Sequence, residues 1–382
     1  MEEKKIPYRV EKVNMNCYGD KPIEFRRLKP SGQIPVAVID GKVYGQSNDI
    51  LQALEQLFPE HKSLQPPPGQ EARANELLRL ERQLFSAWMY WLTGSARYKE
   101  NYLATLRQVE QALSQVGPFF CGSEVSMVDF MFASFLERMA ASLLYFKGWQ
   151  MRVPPGQPTD FPAVNRWFDA METLPSYRMT KSDYFTHCWD LPPQLGGCNY
   201  EDAGAPYERA INGEASILNS QRASWSLPLE PHMGGIEPDW TWAQAGANRE
   251  AVERVSANHE AIIRFAARGA GKPGVPPVSA PLADPNAIPN AAVQVAVDGC
   301  FRVIMMAMLE ESTESYDTKM KEVATTIAKE GGTDFAKAVV DSLVYVRNRV
   351  GVPRDMRLPA ARLLRAHLNW AIDHLVTASR YQ

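Results

Sequence analysis

Ser31-Gly32-Gln33-Ile34-Pro35-Val36-Ala37-Val38-Ile39-Asp40-Gly41-Lys42-Val43-Tyr44-Gly45-Gln46-Ser47 is the stretch on which the fold is decided. Ile34 to Ile39 is apolar and β-branched, Asp40-Gly41 is a strong two-residue hairpin signal, and Lys42 to Tyr44 supplies the returning strand. Behind Gly45-Gln46-Ser47, the apolar residues Ile50, Leu51, Leu54, Leu57 and Phe58 recur at helical spacing, with Ser47 or Asn48 as N-cap and Pro59 as the stop. Upstream, the alternation in Pro7 to Val13 predicts a strand with Tyr8, Val10 and Val13 on its buried side. Gly19 to Pro22 predicts a turn, and Ile23 to Leu28 a short helix ended by Pro30-Ser31-Gly32.

Downstream the class changes. Pro66-Pro67-Pro68-Gly69 is a linker no helix crosses, and from Glu71 to about Tyr177 the pattern is helical throughout. Helices are expected from Glu71 into the aromatic group Trp88, Tyr90 and Trp91, then over 98–116, 126–147 and 161–173. Ser126-Met127-Val128-Asp129 has capping-box spacing, and the segment Phe130 to Leu144 is apolar nearly all round, so that helix must be buried.

The whole chain has 382 residues, long for one core and comfortable for two. Hydrophobic residues are 45% and charged residues 22%, which excludes general disorder. A formal charge of −3 offers no global field for nucleic acid or anionic membrane. Apolar runs such as Val303 to Leu309 fall short of the ~18 residues of a spanning helix, so no membrane span is expected. Five cysteines without a C-x-x-C pair argue against a disulfide framework or a Cys-rich zinc site and for a reducing compartment. No export or import leader is visible at Met1-Glu2-Glu3-Lys4-Lys5.

The order strand, short helix, Ser-Gly-Gln-Ile-Pro-Val hairpin, Gln46-Ser47, helix, then a helical domain with Ser126-x-x-Asp129 resembles the glutathione S-transferase superfamily over about residues 1 to 185. The resemblance implies an α+β fold: a thioredoxin-like glutathione-binding domain at 1–65 and an all-α transferase domain at 70–190. It implies a cis-proline at Ile34-Pro35, whose neighbouring backbone bonds the cysteinyl part of glutathione, and a γ-glutamyl site at Gln46-Ser47. It makes Ser126 and Asp129 structural. It places Trp88, Tyr90, Trp91 and Tyr98 where a second-substrate pocket would be lined, although core packing explains Trp88 and Trp91 about as well. Glutathione is the implied co-substrate or ligand, without a metal, and a homodimer is open.

Family members begin with a strand and a helix whose N-terminus presents the Tyr, Ser or Cys acting on the glutathione sulfur. Residues 1–8 resemble the end of that helix, so the domain is expected to be N-terminally incomplete and its catalytic residue unknown. Cys17 follows a predicted strand, not a helix start, and reads as a loop cysteine.

Residues 199–382 form an additional helical domain beyond that resemblance, behind a connector at Pro192-Pro193 and Gly196-Gly197. Trp225 to Trp242 is expected to pack by its rings, and helices are expected over 248–268, 291–311, 316–330, 334–350 and 360–378. Tyr184 to Gly197 is similar to a segment of plant and algal transferase-like proteins. Several motifs are discounted. Gly269-Ala-Gly271-Lys-Pro-Gly274 has the letters of a dinucleotide fingerprint but no strand before it or helix after it, so it reads as a linker. His367 and His374 are ~10.5 Å apart along a helix, too far to share a metal, and His187, Cys188 and Cys198 match no zinc spacing. The arginines at 347, 349, 354, 357, 362 and 365 read as a solvated or carboxylate-paired face, with an anionic partner as the alternative.

Two functional classes remain. The first is a glutathione transferase, or a thiol transferase of the same fold, in which bound glutathione meets a small electrophile, in the cytoplasm or the plastid stroma. The second is a non-catalytic protein of the same fold, acting as an interaction or assembly subunit through its C-terminal domain.

Overall fold

The computed structural model describes residues 1–13, 21–153, 156–212, 246–277 and 284–380. Their contacts divide into two units, the first holding Met1–Arg178 and His187–Gly204, the second Met179–Thr186, Ala205–Pro277 and Pro281–Gln382.

In the first unit, helix α1 (Ile23–Leu28) leads into strands β1 (Ala37–Ile39) and β2 (Lys42–Tyr44) and helix α2 (Ser47–Leu57). The strands pair antiparallel with Val38 opposite Val43. Asp40 and Gly41 both take positive φ, at 48° and 78°, as the tight turn between right-twisting strands demands. The strand predicted over Pro7 to Val13 is not formed; Tyr8 and Val10 are exposed, and β1 pairs only with β2 among the described residues. Alternation says which side of a strand would be buried, but a strand also needs an edge to pair with.

The helical part follows the expected order through α3 (Glu71–Thr93), α4 (Lys99–Val116), α5 (Met127–Lys147) and α6 (Pro162–Glu172), and two helices that were not expected come after it, α7 (Pro175–Thr180) and α8 (Tyr184–Leu195), with residues 179–186 counted in the second unit. Helix α5 is its centre, with Phe132, Leu136, Leu143 and Phe146 at or near zero exposure. Pro192 and Pro193, expected to break the chain, lie inside the last turns of α8. Each removes an N–H that would bond within the last turns, yet the helix continues, and it stops at Gly196-Gly197, whose φ values of 80° and 138° suit glycine.

The second unit contains α9 (Ala205–Ile211), α10 (Ala247–Ala257), α11 (His259–Ala266), α12 (Gln294–Leu309), α13 (Asp317–Arg347) and α14 (Leu358–Arg380). The helix expected over 248–268 is broken at Asn258. The two helices expected on either side of 330 are both present within the span of α13, separated by non-helical backbone at Gly332 (φ 72°, ψ 179°). Phe301, Ile304, Met320, Leu343, Leu364 and Leu368 build this core. Helix α12 belongs to the stretch Ala291–Leu309, long and apolar enough to cross a membrane, yet one face of it is packed into that core. The Trp225–Trp242 stretch and Cys17 lie outside the described residues.

The glycine-rich linker has a packing reason. A Cβ at Gly269 would stand 2.3 Å from the Asp341 carbonyl oxygen, and one at Gly271 would stand 1.9 Å from that of Ile288, so the segment exists for close backbone approach.

Candidate functional site

The site is built on the turn between α1 and the hairpin. Lys29 ends α1 with its N–H donating to the Phe25 carbonyl at 2.9 Å, and its own carbonyl accepts from Gly32 N at 2.9 Å. Gly32, at φ 69°, then turns the chain into Ile34-Pro35, whose peptide bond is cis. Ile34 is 47% exposed at this bend. Pro35 has no N–H to offer, and the Ile34 amide and carbonyl are the polar groups available here.

Across the hairpin, the N-cap of α2 is Gln46, in extended conformation (φ −131°, ψ 142°), rather than Ser47 or Asn48 as expected. Its carbonyl accepts from Ile50 N at 3.0 Å, while its side chain makes no cap bond. The shift by one residue puts Ser47 at the first helical position, with its N–H among the amides that find no partner inside the helix. Gln46 and Ser47 are both exposed. Asp49 sits in the same first turn and favours the helix end without closing it. Exposed donors at the positive end of an eleven-residue helix suit a carboxylate.

A residue that pattern reasoning missed stands beside them. Lys29 lies over Gly45: a Cβ at Gly45 would come within 2.6 Å of the Lys29 ammonium and 3.1 Å of its Cδ. No local periodicity signals this, because a helix end and a hairpin end meet only in the folded turn.

The four aromatic residues separate. Trp88 and Trp91 are fully buried; the Trp88 indole N–H donates to Ser142 Oγ at 3.1 Å and that of Trp91 to Glu201 Oε1 at 3.0 Å. Trp91 also packs on Tyr102 and Trp149. Both tryptophans belong to the core, so they do not line a pocket. Tyr90, 61% exposed, stacks on Tyr98 at 5.7 Å, and this pair alone of the four remains open to a ligand.

Ser126 and Asp129 form the capping box of α5. Asp129 Oδ2 accepts from Ser126 N at 2.8 Å and Ser126 Oγ at 2.9 Å; Oδ1 accepts from Phe120 N at 3.0 Å and the Trp167 indole at 2.9 Å. Burial pushes its carboxyl above the usual range, against these four bonds. Its partners are all structural.

Burial pushes Cys121 up, and Cys198 and Cys300 to about 12, so near neutral pH they are protonated. His187 faces Glu137 at 3.3 Å and Cys188 is buried; among the described residues no group of three metal-capable side chains comes together.

The arginines of this group divide: Arg347, Arg362 and Arg365 are buried, whereas Arg354 and Arg357 are exposed. Arg365 pairs with buried Asp183, Arg357 with Glu250 at 2.7 Å, Arg354 with Asp355 at 2.7 Å, and Arg347 donates to Asn369 at 3.0 Å. Arg349 lies 3.5 Å over the Tyr345 ring. Carboxylate pairing accounts for Arg354, Arg357 and Arg365, the first two on the exposed surface, in keeping with the solvated or carboxylate-paired face expected.

Residues 1–57 match the family described as glutathione S-transferase, N-terminal domain, and residues 74–170 match glutathione S-transferase, C-terminal domain. Among curated relatives, glutathione S-transferase DHAR2 of Arabidopsis thaliana is 27% identical over 186 residues, 48% of this chain and 79% of that protein. Glutathione S-transferase DHAR3, chloroplastic, of the same plant is 26% identical over 186 residues, 48% of this chain and 66% of that protein. A solved structure, dehydroascorbate reductase from Chlamydomonas reinhardtii, is 25% identical, covers 55% of this chain and 85% of its own, and has a TM-score of 0.37.

Proposed function

Because residues 1–57 and 74–170 make this chain a glutathione S-transferase superfamily member, we propose that it binds glutathione along Ile34, Pro35, Gln46 and Ser47 and uses it on a small electrophile. The observation that carries the reading is the open N-terminus of α2, set inside the N-terminal family match with no side-chain cap from Gln46. The Ser47 hydroxyl and amide would take the γ-glutamyl carboxylate, with the Gln46 amide on the same end of the tripeptide. The Ile34 backbone would pair with the cysteinyl unit as one strand edge pairs with another. These residues fit the molecule: one end of it wants concentrated donors, and the middle wants an exposed, unpaired backbone. Bound glutathione supplies a sulfur nucleophile when ionised. Cys121, Cys198 and Cys300 hold their protons, which favours the bound tripeptide as the source of thiolate. Tyr90 and Tyr98 are the candidates from the aromatic group for contact with the electrophile. Relatives described as cytosolic and as chloroplastic support a cytoplasm or a plastid stroma as the setting.

Replacing Ser47 with Ala deletes a hydrogen bond to a charged group, typically ~1.5 to 3 kcal/mol, so glutathione affinity by calorimetry should fall at least about tenfold. An unchanged Kd in a variant that melts like the parent would remove this site.

A further inference from the structure

Resting on the glutathione reading above, we propose that Lys29 is a specificity-determining residue of the γ-glutamyl subsite, its ammonium held across Gly45 as the counter-charge for the ligand's α-carboxylate. Three observations lead there. The Lys29 backbone is tied on both sides, by its N–H to Phe25 and its carbonyl from Gly32, so the root of the side chain does not wander. The stem runs over Gly45 so closely that a methyl group there would meet Cδ at 3.1 Å and the ammonium at 2.6 Å; the absence of a side chain at Gly45 is what admits it. Gly45 directly precedes Gln46 and Ser47, so the ammonium stands at the open end of α2.

Lys29 is only partly exposed, and among the described residues its ammonium makes no hydrogen bond or ion pair. Asp49, the acidic residue in the first turn of α2, does not pair with it. A cation so placed has no evident task in holding the fold. Beside a carboxylate it adds an attraction that the Ser47 hydroxyl and helix dipole cannot supply alone. It also sets a preference: a ligand carrying the γ-glutamyl α-carboxylate is favoured over one of the same shape lacking that charge.

The test uses the full chain, glutathione, and 4-aminobutanoyl-Cys-Gly, which lacks the α-carboxylate. Lys29→Met should weaken glutathione binding about three- to tenfold, flatten its salt dependence, and leave binding of the analogue within about twofold. Gly45→Ala should do the same in the Lys29 background, since only the far end of a flexible side chain must move to admit the methyl. In a Lys29→Met background Gly45→Ala should have no further effect. If glutathione binds and Ser47→Ala weakens it, yet Lys29→Met changes neither affinity nor the preference between the two peptides, the Lys29 assignment is wrong while the site stands. Equal losses for both peptides would mean a structural role and would also overturn it. If glutathione does not bind the parent at all, the site and the Lys29 assignment fall together.

Discussion

Asp129→Ala should destabilise the first unit by at least ~3 kcal/mol. The carboxylate is completely buried and accepts from Phe120 N, Ser126 N, Ser126 Oγ and the Trp167 indole, joining the start of α5 to the loop before it and to α6. Alanine leaves those donors buried without an acceptor, at ~1 to 3 kcal/mol each before relaxation, and this exceeds the ~1 kcal/mol of an ordinary lost cap. The melting temperature should drop by roughly 6 to 12 °C, taking ~2 to 4 °C per kcal/mol for a domain of this size. Asp129→Asn keeps one acceptor oxygen and should be milder. Calorimetric melting of the three proteins checks this. A variant that melts like the parent but binds glutathione poorly would move Asp129 from the scaffold to the ligand site.

Arg365→Met should cost the second unit a similar amount, ~3 to 5 kcal/mol at pH 7, because it strands a buried charge. Asp183 is 2% exposed and caps the start of α8 by accepting from Thr186 N at 3.0 Å. Arg365 pairs with it, donates to the Val350 carbonyl at 2.6 Å and lies 4.8 Å over the Phe185 ring. Burial pushes the Asp183 carboxyl up, but Arg365, the Thr186 bond and Arg362 outweigh it, so the carboxyl sits below its usual range. In the parent, therefore, this group contributes stability above pH ~4 that is lost as pH falls through the folded value. Without the guanidinium, burial dominates and the sign reverses: the contribution is present at low pH and lost as pH rises. Arg362 remains nearby and makes the reversal partial. Urea unfolding from pH 3.5 to 7, followed by hydrogen exchange at Leu343 and Leu364, measures both effects. A loss under ~1 kcal/mol at pH 7, or an unaltered pH slope, would contradict the account.

Where one residue type and its immediate neighbours settle a feature, the sequence was enough. Asp40-Gly41 specified the hairpin turn, Ser126-x-x-Asp129 the cap, and the all-round apolar run after it the buried α5. Features that depend on a distant partner were hidden. Tyr8 and Val10 carry a strand pattern, but no alternation names the edge to pair with. Trp88 and Tyr90 look alike in a list of aromatic residues; two positions apart on a helix they face opposite ways, one to Ser142 and one to solvent. Arg365 and Arg357 have their partners at Asp183 and Glu250, each more than a hundred residues upstream. The helix start at Gln46-Ser47 was legible to within one residue, whereas the meeting of Lys29 with Gly45 was not, since it is a product of the turn.

Amide hydrogen exchange on the full chain, with and without glutathione, tests the proposed site most directly. The expected result is slowed exchange concentrated at Ile34, Val36 and the first turn of α2 from Ser47 to Ile50, weakened in Ser47→Ala, with little change in α13 and α14. Protection confined to other residues, or none under saturating glutathione, would contradict it.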